Sequence, residues 1–154
     1  MSHLPIVDGS ASETSPRRAA DTPADPSLRD PRDLRDEDLH DLLVAFYDTV
    51  GADEMLGAYF APIDMREHIP RIADFWSTIV FGTRRYNGNA FRPHAMMPGL
   101  TAAHFVRWLE TLEATVDARF VGPNAESLKA MAHRIAFSMQ IRLGIAPFET
   151  EPAA

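Results

Sequence analysis

Cysteine is absent from this chain of 154 residues, and its absence removes several classes of chemistry at once. Without thiols the chain has no disulfide, no thiolate zinc site, no iron–sulfur cluster and no cysteine nucleophile. The absence also fits a reducing compartment, so we expect a cytoplasmic protein.

Long hydrophobic runs are absent as well. The longest apolar run covers residues 42–47, whereas a transmembrane helix needs ~20 such residues. The first residues, MSHLP, carry neither the charged leader nor the apolar stretch of a signal peptide. We therefore expect no membrane as a partner.

Positive charge is scarce, since 15 basic residues stand against 22 acidic ones and give a net charge of −7. A protein that neutralises nucleic-acid phosphates needs a basic surface. The charge balance therefore argues against nucleic acid as a partner. The length and the 45% apolar content indicate one globular domain with a sizeable core, which we expect to be a monomer.

The chain divides into three parts by composition. Residues 1–34 hold five of the twelve prolines and few large apolar side chains, so we predict a disordered N-terminal tail. Residues 35–147 carry helical periodicity and form the predicted domain. Residues 148–154 resemble the tail and are predicted to be a flexible C-terminus.

The apolar residues of the middle part recur at helical spacing, and no segment alternates as a strand does. We predict an all-α domain with four main helices and a short helical segment. Their inward stripes are Leu39, Leu42, Leu43, Phe46, Tyr47 and Val50; His68, Ile72, Phe75, Trp76, Ile79 and Val80; Phe105, Trp108, Leu109, Leu112 and Val116; and Leu128, Met131, Ile135 and Met139. Thr101 is the predicted cap of the third.

The start of the second main helix is ambiguous. Asp64 and Glu67 have the spacing of a capping box, but Pro70 then falls inside the helix, where it removes a donor. Either the helix begins after Asp64, or it begins near Pro70 and His68 lies on an irregular turn.

Four polar side chains stand out in apolar surroundings. Tyr47, His68 and Trp108 lie on apolar helix faces, and His94 lies between two prolines in the loop from Thr83 to about Gly99. A buried polar group without a partner costs about 1–3 kcal/mol, so each needs a partner in the protein or in a ligand. Taken singly, each also fits a packing or surface role. The other histidines are predicted to be structural or exposed.

Four segments, in order and spacing, resemble the group III truncated haemoglobins. They are residues 46–60 (FYDTVGADEMLGAYF), 67–77 (EHIPRIADFWS), 82–89 (GTRRYNGN), which leads to His94, and 104–109 (HFVRWL). The resemblance covers roughly residues 36–146. It implies a truncated globin fold, in which helices pack two over two around one haem b.

The resemblance also implies roles for individual residues. His94 matches the proximal histidine that binds the haem iron, and it is the predicted metal ligand. Tyr47, Trp108 and His68 match the distal residues that face a bound ligand, and His68 is expected near the haem edge. Haem contacts are expected from Phe60, Arg71, Ile72, Phe75, Trp76, Met97 and Phe105.

Several functions fit this pocket. The resemblance implies binding of O2, NO, CO or peroxide, and two distal donors favour redox detoxification, either NO dioxygenation or peroxide reduction, with a reductase as a partner. A non-enzymatic carrier or sensor of diatomic ligands is the alternative, so enzymatic activity stays open. A helical interaction module without a cofactor is a third interpretation. His68 as a second iron ligand, and Met96 or Met97 as a competing one, also stay open.

Overall fold

Helices account for nearly all the regular structure in residues 31–88 and 97–146, the part of the chain that this computed structural model describes. The five α-helices found there are α1 (Leu39–Gly51), α2 (Gly57–Phe60), α3 (Met65–Phe81), α4 (Ala102–Asp117) and α5 (Pro123–Arg142). A 3₁₀ turn, Asp36–Asp38, precedes α1. The described residues contain no strand, only one isolated bridge between Arg32 and Phe120. The all-α prediction is confirmed.

The amphipathic stripe of α1 forms the centre of the core. Leu39, Leu42, Leu43, Phe46 and Val50 are each at most 1% exposed, and their spacing places them on one face of the helix. This face contacts α3 and α4, and α5 packs against both α3 and α4. The fold therefore buries five of the six residues of the predicted stripe, and the sixth, Tyr47, is partly buried.

Helix α3 begins at the earlier of the two predicted positions. The Asp64 carboxylate accepts a hydrogen bond from the Arg66 N–H at 3.1 Å, which satisfies one of the free donors of the first turn. Pro70 therefore lies inside the helix, in its second turn. His68 lies on the helix as well, so its side chain has a fixed direction along the α3 face. The helix ends at Gly82, where φ is +68°.

Helix α5 is capped by a residue from the other end of the folded part. The Asp33 carboxylate accepts hydrogen bonds from the N–H groups of Asn124 and Ala125 at 3.0–3.1 Å. Burial opposes ionisation of this carboxyl, but these bonds and one from Leu34 N–H hold its pKa below the usual value. Gly122 leaves room for the contact, because a Cβ there would lie 2.4 Å from Asp33 Cγ.

The folded part therefore begins before the boundary predicted at residue 34. Leu34 is fully buried in the core, and the Val121 N–H donates to the Arg32 carbonyl at 3.0 Å. The rest of the predicted tail, residues 1–30, and residues 147–154 lie outside the described residues. No helix in the described ranges is long and apolar enough to cross a membrane.

The inner face of α5 differs from the predicted one. Its buried residues are Ala125, Leu128, Ala132, Ala136 and Gln140, whereas Met131, Ile135 and Met139 are only partly buried along one side. Small alanines let α5 approach its neighbours closely. Because Ile135 and Met139 are displaced from the packed face, they reach the cavity described next.

Candidate functional site

A cavity of about 280 Å³ lies among the five helices. Its lining is mostly aromatic and aliphatic, as is usual for ligand and cofactor sites. Ten residues that the sequence nominated all line it: Tyr47, Phe60, His68, Arg71, Ile72, Phe75, Trp76, Met97, Phe105 and Trp108. The eleventh, His94, lies outside the described residues. The structure thus brings together every nominated residue that it describes.

Tyr47 reaches the cavity from the edge of the buried stripe of α1. Successive helical residues are ~100° apart, so Phe46 points into the core while Tyr47 points beside it. The Tyr47 ring packs edge-on against Phe46 at 4.9 Å and lies 5.5 Å from the ring of Phe60. Burial raises the pKa of the Tyr47 phenol well above its usual value, so the hydroxyl keeps its proton and remains a donor.

Trp108 brings a second donor from α4. Its indole packs edge-on against Phe46, with the ring centroids 5.8 Å apart. Phe46 is fully buried and contacts both donor-bearing rings, so one core side chain fixes the position of both. Within residues 31–88 and 97–146, neither the Tyr47 hydroxyl nor the Trp108 indole N–H has a hydrogen-bond partner.

The charge of the cavity is opposite in sign to that of the whole chain. His68 and Arg71 are exposed and three residues apart on α3, so they share a helix face. Neither makes a hydrogen bond or ion pair with another described residue. The described lining contains no Asp or Glu, although acids outnumber bases 22 to 15. The site therefore suits an apolar ligand that carries carboxylates.

An ion pair that the sequence did not predict holds α4 beside Trp108. The Arg107 Nε donates to Asp53 Oδ2 at 2.7 Å, across 54 residues of sequence. The Asp53 carboxylate also accepts from the N–H groups of Met55 and Leu56 at 2.9 and 3.1 Å. The hydrogen bond from Arg107 is the main reason that the pKa of Asp53 lies below its usual value. The ion pair connects the turn before α2 to Arg107, the residue that precedes Trp108.

The wall formed by α3 is fixed by contacts with the segment that follows it. Tyr86 packs edge-on against Phe75 at 5.3 Å, and its N–H donates to Thr78 Oγ1 at 3.1 Å. The hydroxyls of Ser77 and Thr83 are 2.7 Å apart. This part of the lining therefore has little freedom to move.

Sequence reasoning missed ten further lining residues. They are Leu56, Tyr59, Ile63, Met65, Tyr86, Leu100, His104, Ile135, Ala136 and Met139. Ile135 and Met139 were predicted to face inward. His104 was predicted to be structural or exposed, and its side chain takes part in the capping box of α4 and also lines the cavity. No local pattern distinguishes His104, because it lies beside the main stripe of α4.

A second, more open depression of about 650 Å³ lies elsewhere on the surface. Its lining is rich in charged side chains, including Arg35, Asp36, Asp74 and Arg85, and none of the nominated residues belongs to it. Arg85 and Asp36 already pair with each other at 2.7 Å. We therefore assign the functional site to the apolar cavity.

Comparison with known proteins agrees with this fold. The profile of the bacterial-like globin family matches residues 35–141. The group 3 truncated hemoglobin ctb of Campylobacter jejuni is 27% identical over 90 residues, which cover 54% of this chain and 71% of that protein. The crystal structure of the group III truncated hemoglobin from Campylobacter jejuni matches with a TM-score of 0.65 and 26% identity, covering 71% of this chain and 91% of the other.

These matches define the class of protein: the domain is a globin, a class that binds haem and small diatomic ligands. The chain belongs to the bacterial-like globin family. Within it, the resemblance to the group III truncated haemoglobins is confirmed, and so is the predicted truncated globin fold.

Proposed function

We propose that the cavity holds haem b with His94 as its iron ligand, and that the domain carries out redox detoxification of NO or peroxide with electrons from a reductase. The observation that carries this proposal is the pair of donors, Tyr47 and Trp108. Both face an apolar cavity, and neither has a partner among the described residues. Both residues are partly buried and line the cavity, so a ligand held there is the natural acceptor for their hydrogen bonds.

The residues present fit a haem. The aromatic and aliphatic walls, which include Phe60, Ile72 and Phe105, suit a flat apolar ring system. Arg71 supplies a guanidinium for the propionates that pairs with no carboxylate in residues 31–88 and 97–146, and His68 lies on the same helix face. When bound, the haem supplies the ligand-binding and electron-transfer chemistry, while the protein supplies orientation and polarity.

Tyr47 and Trp108 act on the ligand through their protons. Each donates a hydrogen bond toward the negative charge that builds on a diatomic ligand, and both are already positioned by Phe46. Donors that are fixed in advance in a dry site stabilise such charge more strongly than water does. The same arrangement slows release of the ligand, which favours reaction over delivery.

Both candidate reactions need an external source of electrons. In NO dioxygenation, one NO, one O2 and one electron give one nitrate. In peroxide reduction, one H2O2, two protons and two electrons give two waters. The exposed rim that carries His68 and Arg71 leaves the cavity mouth accessible to small reactants.

The test is nitrate formation from NO by the purified haem-loaded protein, in the presence of O2 and an electron donor. We expect turnover above that of free haem, and a reduced rate in Tyr47→Phe. As a control, Thr111→Val removes a hydroxyl that does not line the cavity, and it should match the wild type. A protein that binds O2 but turns over neither NO nor peroxide would instead be a carrier or a sensor.

A further inference from the structure

One polar cluster at the cavity has no part in the function proposed above. It consists of Tyr59 on α2, the carbonyl of Pro98, and Thr101 and His104 at the start of α4. Tyr59 and His104 line the cavity themselves, and so do Met97 and Leu100 on either side of Pro98 and Gly99. The cluster therefore lies beside the stretch of wall made by residues 97–100.

Tyr59 makes the first connection of this cluster. Its hydroxyl donates to the Pro98 carbonyl at 2.8 Å, across 39 residues of sequence. Gly99, with φ at +77°, adopts a backbone conformation that side chains other than glycine rarely take. A Cβ at Gly99 would lie 3.5 Å from the Tyr59 hydroxyl. The backbone at Pro98 and Gly99 therefore passes close to Tyr59, where the Pro98 carbonyl accepts the hydrogen bond.

His104 makes the second connection. Its Nδ1 accepts a hydrogen bond from the Thr101 N–H at 3.1 Å and lies 2.8 Å from the Thr101 hydroxyl. The Thr101 side chain in turn accepts from the His104 backbone N–H, which completes a reciprocal capping box. The His104 ring also packs edge-on against Tyr59 at 5.4 Å. The two connections therefore form one contiguous unit.

Apart from the packing of Leu100 against the core, few contacts hold the wall made by residues 97–100 among the described residues. Residues 97–100 belong to no helix, and their backbone groups form no hydrogen bond with the backbone of other described residues. The bond from the Tyr59 hydroxyl to the Pro98 carbonyl therefore holds this stretch against α2, and the capping box fixes the next residue, Thr101, at the start of α4. An apolar wall helps to retain a ligand in the cavity only if the wall keeps its position.

We propose that Tyr59, Thr101 and His104 act as a clamp that positions the wall of residues 97–100 and thereby sets how firmly the domain retains its haem. The clamp residues are positioning residues, since they act through Met97 and Leu100. This inference rests on the proposed function, because it takes haem to be the ligand of the cavity.

The first test compares haem loss from Tyr59→Phe and from the wild type, measured as transfer of haem to an excess of a haem-free acceptor protein. Tyr59→Phe removes the bond to Pro98 but keeps the ring against His104. Loss of one neutral hydrogen bond should accelerate haem loss roughly two- to tenfold. Thr111→Val is the matched control, because it removes a hydroxyl-to-carbonyl bond of the same 2.8 Å length on α4, and its haem loss should not change.

The second test uses rescue at position 104. His104→Ala removes the capping acceptor and should accelerate haem loss, whereas His104→Glu restores a Thr-x-x-Glu capping box and should return haem loss to near the wild-type rate. The unfolding midpoint of each holoprotein is measured in parallel. If these residues act as a clamp, Tyr59→Phe accelerates haem loss while its unfolding midpoint stays close to that of the wild type.

Three results would overturn the clamp. The first is that Tyr59→Phe loses haem at the wild-type rate. The second is that His104→Glu loses haem as fast as His104→Ala. The third is that Thr111→Val accelerates haem loss as much as Tyr59→Phe does. Failure of the proposed function looks different: if the cavity held no haem, the wild-type protein would take up none and these rates could not be measured, and if only the redox activity failed, NO and peroxide turnover would be absent while the haem-loss rates kept their predicted order.

Discussion

Replacing Tyr47 by phenylalanine is expected to raise the rate of O2 dissociation about ten- to a hundredfold. The ring of Tyr47 is held between Phe46 and Phe60, so the substitution removes the hydroxyl and leaves the packing intact. A hydrogen bond to a charged acceptor contributes about 1.5–3 kcal/mol, and each 1.4 kcal/mol corresponds to a factor of ten. The measurement is stopped-flow displacement of O2 by CO.

Trp108→Phe should act in the same direction, because it removes the indole N–H and keeps an aromatic ring against Phe46. Tyr86→Phe is the matched control. It removes a hydroxyl from the same cavity, but its ring packs against Phe75 rather than Phe46, so its off-rate should stay near that of the wild type. Unchanged off-rates in both Tyr47→Phe and Trp108→Phe would show that neither donor faces the ligand.

Phe46→Ala is expected to lower the free energy of unfolding by about 3–5 kcal/mol, the usual cost of truncating a buried phenylalanine to alanine. Phe46 is 0% exposed, and the space that it leaves is bordered by the rings of Tyr47 and Trp108. A domain of this size is stable by only about 5–15 kcal/mol, so a large share of its stability is lost. Chemical denaturation followed by circular dichroism measures the change.

Phe137→Ala provides the comparison for this prediction. Phe137 lies on α5 and is 54% exposed, so the same substitution there should change the unfolding free energy by no more than about 0.5 kcal/mol. If Phe46→Ala cost as little as Phe137→Ala, Phe46 would not be the side chain that supports the two donors.

The sequence was sufficient to predict the helices and much of the site, because both follow from patterns within single helices. The stripe of α1 predicted the buried face, and Tyr47, His68 and Trp108 stood out as polar groups on apolar faces. The family resemblance added Phe60, Arg71 and the remaining walls. All of these side chains line one cavity in the structure, and their roles toward a haem and its ligand stay predictions.

Contacts between distant segments could not be predicted in the same way. Asp33 caps α5 from 91 residues away, Asp53 pairs with Arg107 across 54, and Tyr59 bonds to Pro98 across 39. Each residue looks ordinary in its own segment, and its partner is set only when the helices pack. The N-terminal boundary was placed too late for this reason, since no pattern within residues 31–34 indicates a cap for α5.

Two local ambiguities were decided by packing. Pro70 is tolerated inside α3, whose start is fixed by the hydrogen bond between Asp64 and Arg66 N–H. On α5, buried alanines rather than the larger Met131, Ile135 and Met139 form the packed face. The prediction from large apolar residues alone therefore placed the helix correctly but assigned its packed side to the wrong face.

The central claim is that this domain binds haem in the described cavity with His94 as the iron ligand. The most direct measurement is the absorption spectrum of protein expressed with added haem precursor, for the wild type and for His94→Ala. We expect a Soret band in the wild type that shifts when CO is added to the reduced protein, and a lost or altered band in His94→Ala. A colourless wild-type protein, or a Soret band that His94→Ala leaves unchanged, would contradict the account.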